Sequence, residues 1–158
     1  MILSNALRIH VLMLALSVFQ SVHADAGPVS VVSGTPIESH FQYWEDTGAN
    51  ATLAEVRALP ESAWQHRPTG KATFGITDSA YWLRVELHNQ TDRDQLLIAG
   101  LAYSQLDDVV FHELSGGTLL REFRTGDTRP FYPRDVDHPS MLFRFQVAPD
   151  NLKTLYIR

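Results

Sequence analysis

The amino-acid sequence predicts an all-β protein, an antiparallel, jelly-roll-like β-sandwich with one short helix. Three observations support this fold class. From residue 74 onward, apolar side chains recur at every second position in several segments, which is the period of a half-buried strand. Glycine, proline, asparagine and aspartate separate these segments at fairly regular intervals. Only one stretch has clear helical spacing, so the pattern is typical of a sandwich of about seven to nine short strands.

Composition limits the protein to one domain of ordinary globular character. The chain has 158 residues, of which 44% are apolar, and this is enough for a hydrophobic core. The formal net charge is −5 and the basic residues form no run, so we do not expect nucleic-acid binding. Because cysteine is absent, thiolate chemistry, disulfides and cysteine–zinc sites are excluded. The histidines lack metal-ligand spacing, and the sequence predicts neither a metal nor a cofactor.

The N-terminus has the organisation of a secretory signal peptide. Arg8 precedes an apolar run at residues 9–19, and small residues follow at the positions that a signal peptidase reads. We predict a signal peptide over residues 1–24 with cleavage after Ala24, or alternatively after Ala26. The apolar run is shorter than the hydrocarbon core of a bilayer requires, although an uncleaved anchor is the alternative. The mature chain is thus expected to be exported.

The single helix is predicted from its ends and from its apolar spacing. Thr52 and Glu55 form a capping-box pattern, in which each side chain bonds the other residue's backbone amide. Leu53, Val56 and Leu59 recur at helical spacing, and Pro60 ends the segment. The sequence therefore predicts a helix over residues 53–59.

The strands are predicted from alternation and from turn residues. Small, polar residues 25–35 are interpreted as a leader segment that contributes at most an edge strand, and a glycine pair at 116–117 predicts a tight hairpin. The last strand reaches the C-terminus without a closing turn, so we expect the domain, residues 36–158, to be truncated at that end. The predicted strands cover residues 40–44, 81–88, 95–103, 107–114, 118–124, 141–147 and 153–158.

Several motifs in a fixed order resemble a known receptor family. The segments that carry the resemblance are Tyr-Trp-Glu-Asp at 43–46 with the following helix, Phe-Gly-Ile-Thr-Asp-Ser-Ala-Tyr-Trp-Leu-Arg-Val-Glu-Leu-His-Asn at 74–89, and Tyr-Ser-Gln-Leu-Asp-Asp-Val-Val at 103–110. They are similar to the type 2 extracellular domain of bacterial seven-transmembrane receptors with diverse intracellular signalling modules (7TMR-DISM). The resemblance covers about residues 36–158, because further segments similar to the family follow in the expected order between residues 125 and 158.

This resemblance implies a periplasmic sandwich similar to carbohydrate-binding modules. In the family, such a domain precedes seven membrane helices and a cytoplasmic histidine kinase or diguanylate cyclase, and this chain contains neither. The expected function is therefore non-enzymatic sensing of a small ligand, such as a carbohydrate, with membrane association only through downstream helices. The alternative is a protein-interaction module that forms a homodimer or pairs with another receptor's exported domain.

The strand at residues 81–88 carries the first candidate ligand-binding residues. Period-2 geometry places Trp82 and Arg84 on one face, together with Glu86 and His88, while the apolar set from Tyr81 faces the core. An aromatic ring beside charged groups suits a sugar, and Ser79 adds a hydroxyl at the strand entrance. The alternative is that the indole fills a second core layer and the charges form a surface pair. The resemblance favours Ser79, Trp82 and Arg84 as ligand contacts.

The proline-rich loop at residues 126–138 supplies Arg134 as a further candidate ligand contact. The competing interpretation is that Arg134 serves the loop structurally. Glu45 and Asp46 are interpreted first as turn formers and second as ligand contacts. A hydrolase needs two carboxyl groups at a set separation, but adjacent strand residues Asp107 and Asp108 point to opposite faces, so we predict no enzyme.

Overall fold

Two β-sheets that face each other form the described part of the protein. The computed structural model describes residues 27–31, 41–66, 74–103, 105–130 and 134–158. The predicted signal peptide lies outside these residues, and no helix in the described ranges is long and apolar enough to cross a membrane. The strands are β1 Val29–Ser30, β2 Gln42–Asp46, β3 Gln65–His66, β4 Ala80–His88, β5 Gln95–Leu101, β6 Val109–Ser115, β7 Thr118–Thr125, β8 Met141–Val147 and β9 Leu152–Ile157.

The large sheet has the order β3-β2-β4-β9-β6-β7, and the small sheet consists of β5 and β8. Apart from β1, which runs parallel to β4, all neighbours are antiparallel. The all-β prediction is therefore confirmed, and the two sheets form a sandwich-like arrangement. The jelly-roll order stays a prediction.

The main core lies between the two sheets and follows from the alternation in the sequence. Every second residue of β8 is buried, and its inward phenylalanines meet Phe111 of β6, whose ring stacks on Phe143 with centroids 4.6 Å apart. At one end of this core Lys153 is paired with Glu113 and also donates to the Gln146 carbonyl. These bonds satisfy a buried charge and join the large sheet to the small one.

The segment that was interpreted as a leader contributes to the core. Val29 and Ser30 pair with the last residues of β4, so the suggested edge strand is present. Val31, which follows directly, is fully buried in the main core. Val31 therefore anchors the segment to the sandwich.

A second hydrophobic cluster lies on the opposite face of the large sheet. The predicted helix is present as α1, Leu53–Arg57, with both halves of the Thr52–Glu55 capping box formed. A 3₁₀ turn at Glu61–Ala63 follows it. We call α1 and this turn the cap. Beneath the cap is a cluster that we call the cap cluster: Val56, Trp64, Trp82, Leu114 and Tyr156.

The hairpin between β6 and β7 takes the form that its glycines predict. Gly116 and Gly117 both have positive φ, +54° and +80°, which is the left-handed conformation that a two-residue turn of this type requires. Arg57 of α1 donates a 2.7 Å hydrogen bond to the Gly117 carbonyl. The turn is thereby tied to the cap.

Candidate functional site

The later part of strand β4 packs on the main core, and its other face lies under the cap, which decides the role of Trp82. The predicted strand and its alternation are confirmed, since Val85 and Leu87 contact the main core while Trp82 points to the other side. Trp82 is only 1% exposed because the cap covers it, and its ring stacks on His112 with centroids 5.6 Å apart. The expectation that the indole emerges on an open surface is therefore wrong. The alternative interpretation, a second core layer, describes this side of the sheet.

Arg84 holds the cap to the sheet. Its guanidinium forms an ion pair with Glu61 of the 3₁₀ turn and donates to the Gln42 amide oxygen on β2. The same group lies 4.4 Å from the centre of the Trp64 ring, in cation–π contact. The guanidinium keeps the pKa of the Glu61 carboxyl below its ordinary value. Arg84 is thus engaged by Glu61, Gln42 and Trp64, and the surface pair with Glu86 that the alternative interpretation expected is not formed.

Ser79 lies at the opposite face, at the start of β4. Its hydroxyl donates a 2.7 Å hydrogen bond to the Glu45 carboxylate. Glu45 is exposed and lies directly opposite Tyr81 in the β2–β4 register. Because paired residues share a face, Glu45 and Tyr81 lie on the inner face of the large sheet, opposite to Trp82.

Three aromatic rings lie at the same end of this sheet as the Ser79–Glu45 pair. We call Tyr43, Phe74 and Tyr81 the aromatic triad. The Phe74 and Tyr81 rings stack with centroids 3.9 Å apart, and Tyr43 lies 5.1 Å from Phe74. All three are half-buried, whereas the sequence predicted that Tyr81 would join the main core. Tyr81 is at the strand's entrance, and the main core contains the later residues of β4.

Arg134 is remote from β4 in the topology. It donates to the backbone carbonyls of His138 and Pro139, at 2.8 Å each. The next residue, Asp135, pairs with Arg121 of β7, and β9 and β6 separate β7 from β4. The structure therefore places Arg134 within its own loop and does not bring it to the other predicted site residues.

A buried histidine, His112, lies beneath the cap. Burial lowers the pKa of His112 below its ordinary value, although Glu122, 3.4 Å away on β7, opposes this effect. Burial likewise raises the pKa of the Tyr156 hydroxyl. Both effects result from the low polarity under the cap, which agrees with a packed layer and not with a solvent-filled cleft.

Sequence reasoning missed the residues that complete these two regions. Trp64 and Glu61 follow Pro60, where the predicted helix ends, and no local pattern connects them to β4. Tyr43 belongs to the family motif at 43–46, and that motif does not indicate where the ring lies. The available signal was the concentration of aromatic residues at 43–44, 74 and 81–82, whose alternation sends tyrosines to one face and tryptophans to the other.

The arrangement suits binding through stacking and hydrogen bonds. The aromatic triad, a carboxylate and a hydroxyl lie together at one sheet end, and such groups fix polar ligands with apolar faces. In the described part of the chain, no three histidine, aspartate or glutamate side chains are grouped to hold a metal ion.

The fold is that of an all-β, sandwich-like domain. The family model for 7TMR-DISM extracellular 2 matches residues 38–158, so the chain belongs to the 7TMR-DISM extracellular 2 family. This family comprises extracellular sensor domains of membrane receptors, which implies placement outside the cytoplasm. It is a receptor family and is not known for enzymatic activity. No curated protein matches the chain.

Proposed function

We propose that this domain senses a carbohydrate in the periplasm and that the sugar binds at the aromatic triad beside Ser79 and Glu45. The observation that carries the proposal is the placement of three half-buried rings at the same end of the sheet as a hydroxyl–carboxylate pair. Aromatic faces stack on the apolar C–H faces of a pyranose, while the carboxylate and Ser79 bond its hydroxyls.

The proposal assigns different roles to the predicted site residues. Ser79 contacts the ligand directly. Trp82 and Arg84 hold the cap against β2 and β4, the two strands whose other faces carry the aromatic triad. Arg134 organises its loop. In the intact receptor, ligand binding changes the signalling state only through a different affinity for two arrangements of the domain.

The test is calorimetric titration of the exported chain with a panel of mono- and oligosaccharides. We expect saturable binding of at least one sugar and a loss of about tenfold in affinity for Tyr81→Ala. The matched control is Tyr103→Ala, because Tyr103 is 61% exposed and hydrogen-bonded only locally to Gln105 among the contacts described. If Tyr81→Ala left sugar binding intact, the ligand would bind elsewhere on the domain. If no sugar of the panel bound, a carbohydrate would be excluded as the ligand.

A second candidate function, homodimerisation, is favoured by strand β5. Leu96 and Ile98 are 63% and 57% exposed on the outer face of the small sheet. Within the described ranges β5 hydrogen-bonds to one strand, β8, and its seven residues contain no charge and no proline. Such an edge lacks the features that prevent strand pairing, so a second copy can add its own β5.

Sedimentation velocity tests this candidate. We expect a concentration-dependent dimer that Ile98→Lys dissociates, whereas Leu120→Lys, at a similarly exposed position of β7, leaves it intact. A monomer at all concentrations, or a dimer equally sensitive to both substitutions, would exclude pairing through β5.

A further inference from the structure

The cap belongs to one continuous segment, residues 47–64, that connects β2 to β3. These two strands pair with each other, so both ends of the segment are attached to the same edge of the large sheet. Within the segment only Val56 of α1 and Trp64, directly after the 3₁₀ turn, are buried, and both belong to the cap cluster. The segment can therefore lift from the sheet without unthreading a strand.

Few polar contacts fasten the cap itself to the sheet in the described part of the chain. The Glu61 carboxylate accepts hydrogen bonds from Arg84 and Gln42, and Arg57 donates to the Gly117 carbonyl. The Glu61 side chain is 59% exposed, and the Arg57 bond is at the surface. Because water competes for exposed partners, such contacts contribute only modestly to stability.

The turn that precedes α1 is fixed separately. The buried Asp46 carboxylate accepts a 2.8 Å hydrogen bond from the Ala51 amide, and Arg158 donates a 2.6 Å hydrogen bond to the Ala49 carbonyl. These bonds do not involve the 3₁₀ turn. The segment thus has a fixed end at this turn and a lightly fastened part that contains Glu61.

Two indole N–H groups under the cap lack an acceptor. Trp64 and Trp82 are 5% and 1% exposed, and among the described residues neither Nε1 atom has a hydrogen-bond partner. A buried donor without a partner costs free energy, since water satisfied it in the unfolded chain. Most buried donors in native proteins are paired, and two exceptions in one cluster need an explanation. The closed cap bears this cost, and water can bind both groups once the cap is open.

We propose that the cap is a lid that opens as a unit while both sheets stay folded, with the ion pair between Arg84 and Glu61 as its latch. Opening breaks this ion pair and brings water to both indoles. The apolar contacts of Val56 favour the closed state, so the open state is the minor one. Because β2 and β4 carry the aromatic triad on their other face, a lid on these strands supplies two arrangements through which a sensor can signal.

Native-state hydrogen exchange of the full exported chain, followed by NMR, tests the proposal. The reference protons are the backbone amides of Phe111 and Leu155, in the central strands β6 and β9. After correction for intrinsic rates, we expect the Trp64 and Trp82 indole protons to exchange at least about tenfold faster than these amides. Indole exchange should depend little on urea, because local opening exposes less surface than global unfolding does.

Two substitutions separate local opening from global unfolding. Arg84→Met should accelerate indole exchange about tenfold, whereas Arg93→Met, which affects a highly exposed pair with Asp92, is the matched control and should not. Val147→Ala weakens the main core on β8, away from the cap cluster. It should accelerate exchange of the Leu155 amide and leave indole exchange unchanged.

Three results would overturn the proposal. The first is indole exchange with the full urea dependence of global unfolding. The second is equal acceleration of the indole protons and the main-core amides by Val147→Ala, and the third is parental indole exchange in Arg84→Met. The urea dependence is measured on the parent chain, so it decides the question even if a variant fails to fold. Sugar binding at the aromatic triad does not enter this measurement.

Discussion

The two faces of strand β4 use aromatic residues in opposite ways. On the outer face, Trp82 is enclosed by the cap and contacts Trp64 and Tyr156 in one cluster. On the inner face, Tyr81 stacks on Phe74 and stays half-buried. Adjacent residues of one strand therefore serve stability and, as we propose, recognition. Period-2 alternation therefore predicts which residues share a face of the strand, but it does not predict which face other parts of the chain cover.

Removal of the Trp82 ring should have the largest effect. We expect Trp82→Ala to lower the free energy of unfolding by about 3–5 kcal/mol, since it leaves a large cavity under the cap. Urea denaturation measures this change, and Tyr103→Ala should be nearly neutral. If Trp82→Ala left the free energy of unfolding nearly unchanged but abolished sugar binding, the outer face and not the inner face would be the recognition surface.

Loss of the Arg84 guanidinium should have an intermediate effect. Arg84→Met keeps the aliphatic stem but removes the ion pair with Glu61, the bonds to Gln42 and the contact with Trp64. We expect a loss of about 1–2 kcal/mol in the free energy of unfolding. Arg93→Met, which affects a highly exposed pair with Asp92, is the control and should change little. Equal stabilities of the two variants would show that Arg84 does not fasten the cap.

The Ser79 hydroxyl should matter for binding more than for folding. Ser79→Ala removes the hydrogen bond to the Glu45 carboxylate and the one accepted from the Thr77 hydroxyl, both at an exposed site, so thermal unfolding should change little. Sugar affinity should fall about fivefold, which corresponds to one hydrogen bond of ~1 kcal/mol. Ser115→Ala, whose hydroxyl bonds Asn151 instead, is a matched control that should retain the affinity. The opposite pattern, lost stability with unchanged affinity, would count against a recognition role.

The smallest effect concerns pH and the buried His112. Burial lowers its pKa in the folded state, so the unfolded state binds the proton more readily. The free energy of unfolding should therefore decrease as pH falls below the ordinary histidine value of 6.5, until the lowered pKa is passed. Glu122 and Arg124 of β7 and the backbone of Tyr156 on β9 also act on the imidazole in the folded state, but burial is the largest cause of the lowered pKa.

His112→Gln should reduce the slope of stability against pH in that window. Denaturation series across the window, on the parent and the variant, measure the difference. Parallel curves for the two proteins would mean that protonation of His112 does not distinguish the folded from the unfolded state.

Much of the fold could be predicted because its signals are local. The alternation of β4, the capping box at Thr52 and Glu55, and the glycine pair of the β6–β7 turn each act within a few residues. The element ends differ from prediction by only a few residues. The Thr52–Glu55 pair in particular predicted both the start of α1 and its hydrogen bonds.

The candidate site was harder to predict because it depends on contacts distant in sequence. Trp82 is buried by Trp64 and by residues of the cap, which precede it along the chain, and alternation within β4 carries no information about them. Likewise, Glu61 forms an ion pair with Arg84, which lies 23 positions later in the sequence. The open or covered state of each face is a tertiary property.

The central claim is that recognition occurs at the aromatic triad and not at the cap cluster. All three tryptophans of the chain, Trp44, Trp64 and Trp82, belong to or pack against the cap cluster, whereas two tyrosines lie in the triad. NMR of the aromatic side chains during titration with a sugar therefore reports on both regions in one experiment, since the tyrosine signals monitor the triad and the indole signals monitor the cap cluster. We predict that the Tyr43 and Tyr81 ring signals shift with direct ligand contacts while no indole contacts the sugar. Direct contacts between the sugar and the Trp82 indole, with unaffected Tyr43 and Tyr81 signals, would contradict the account.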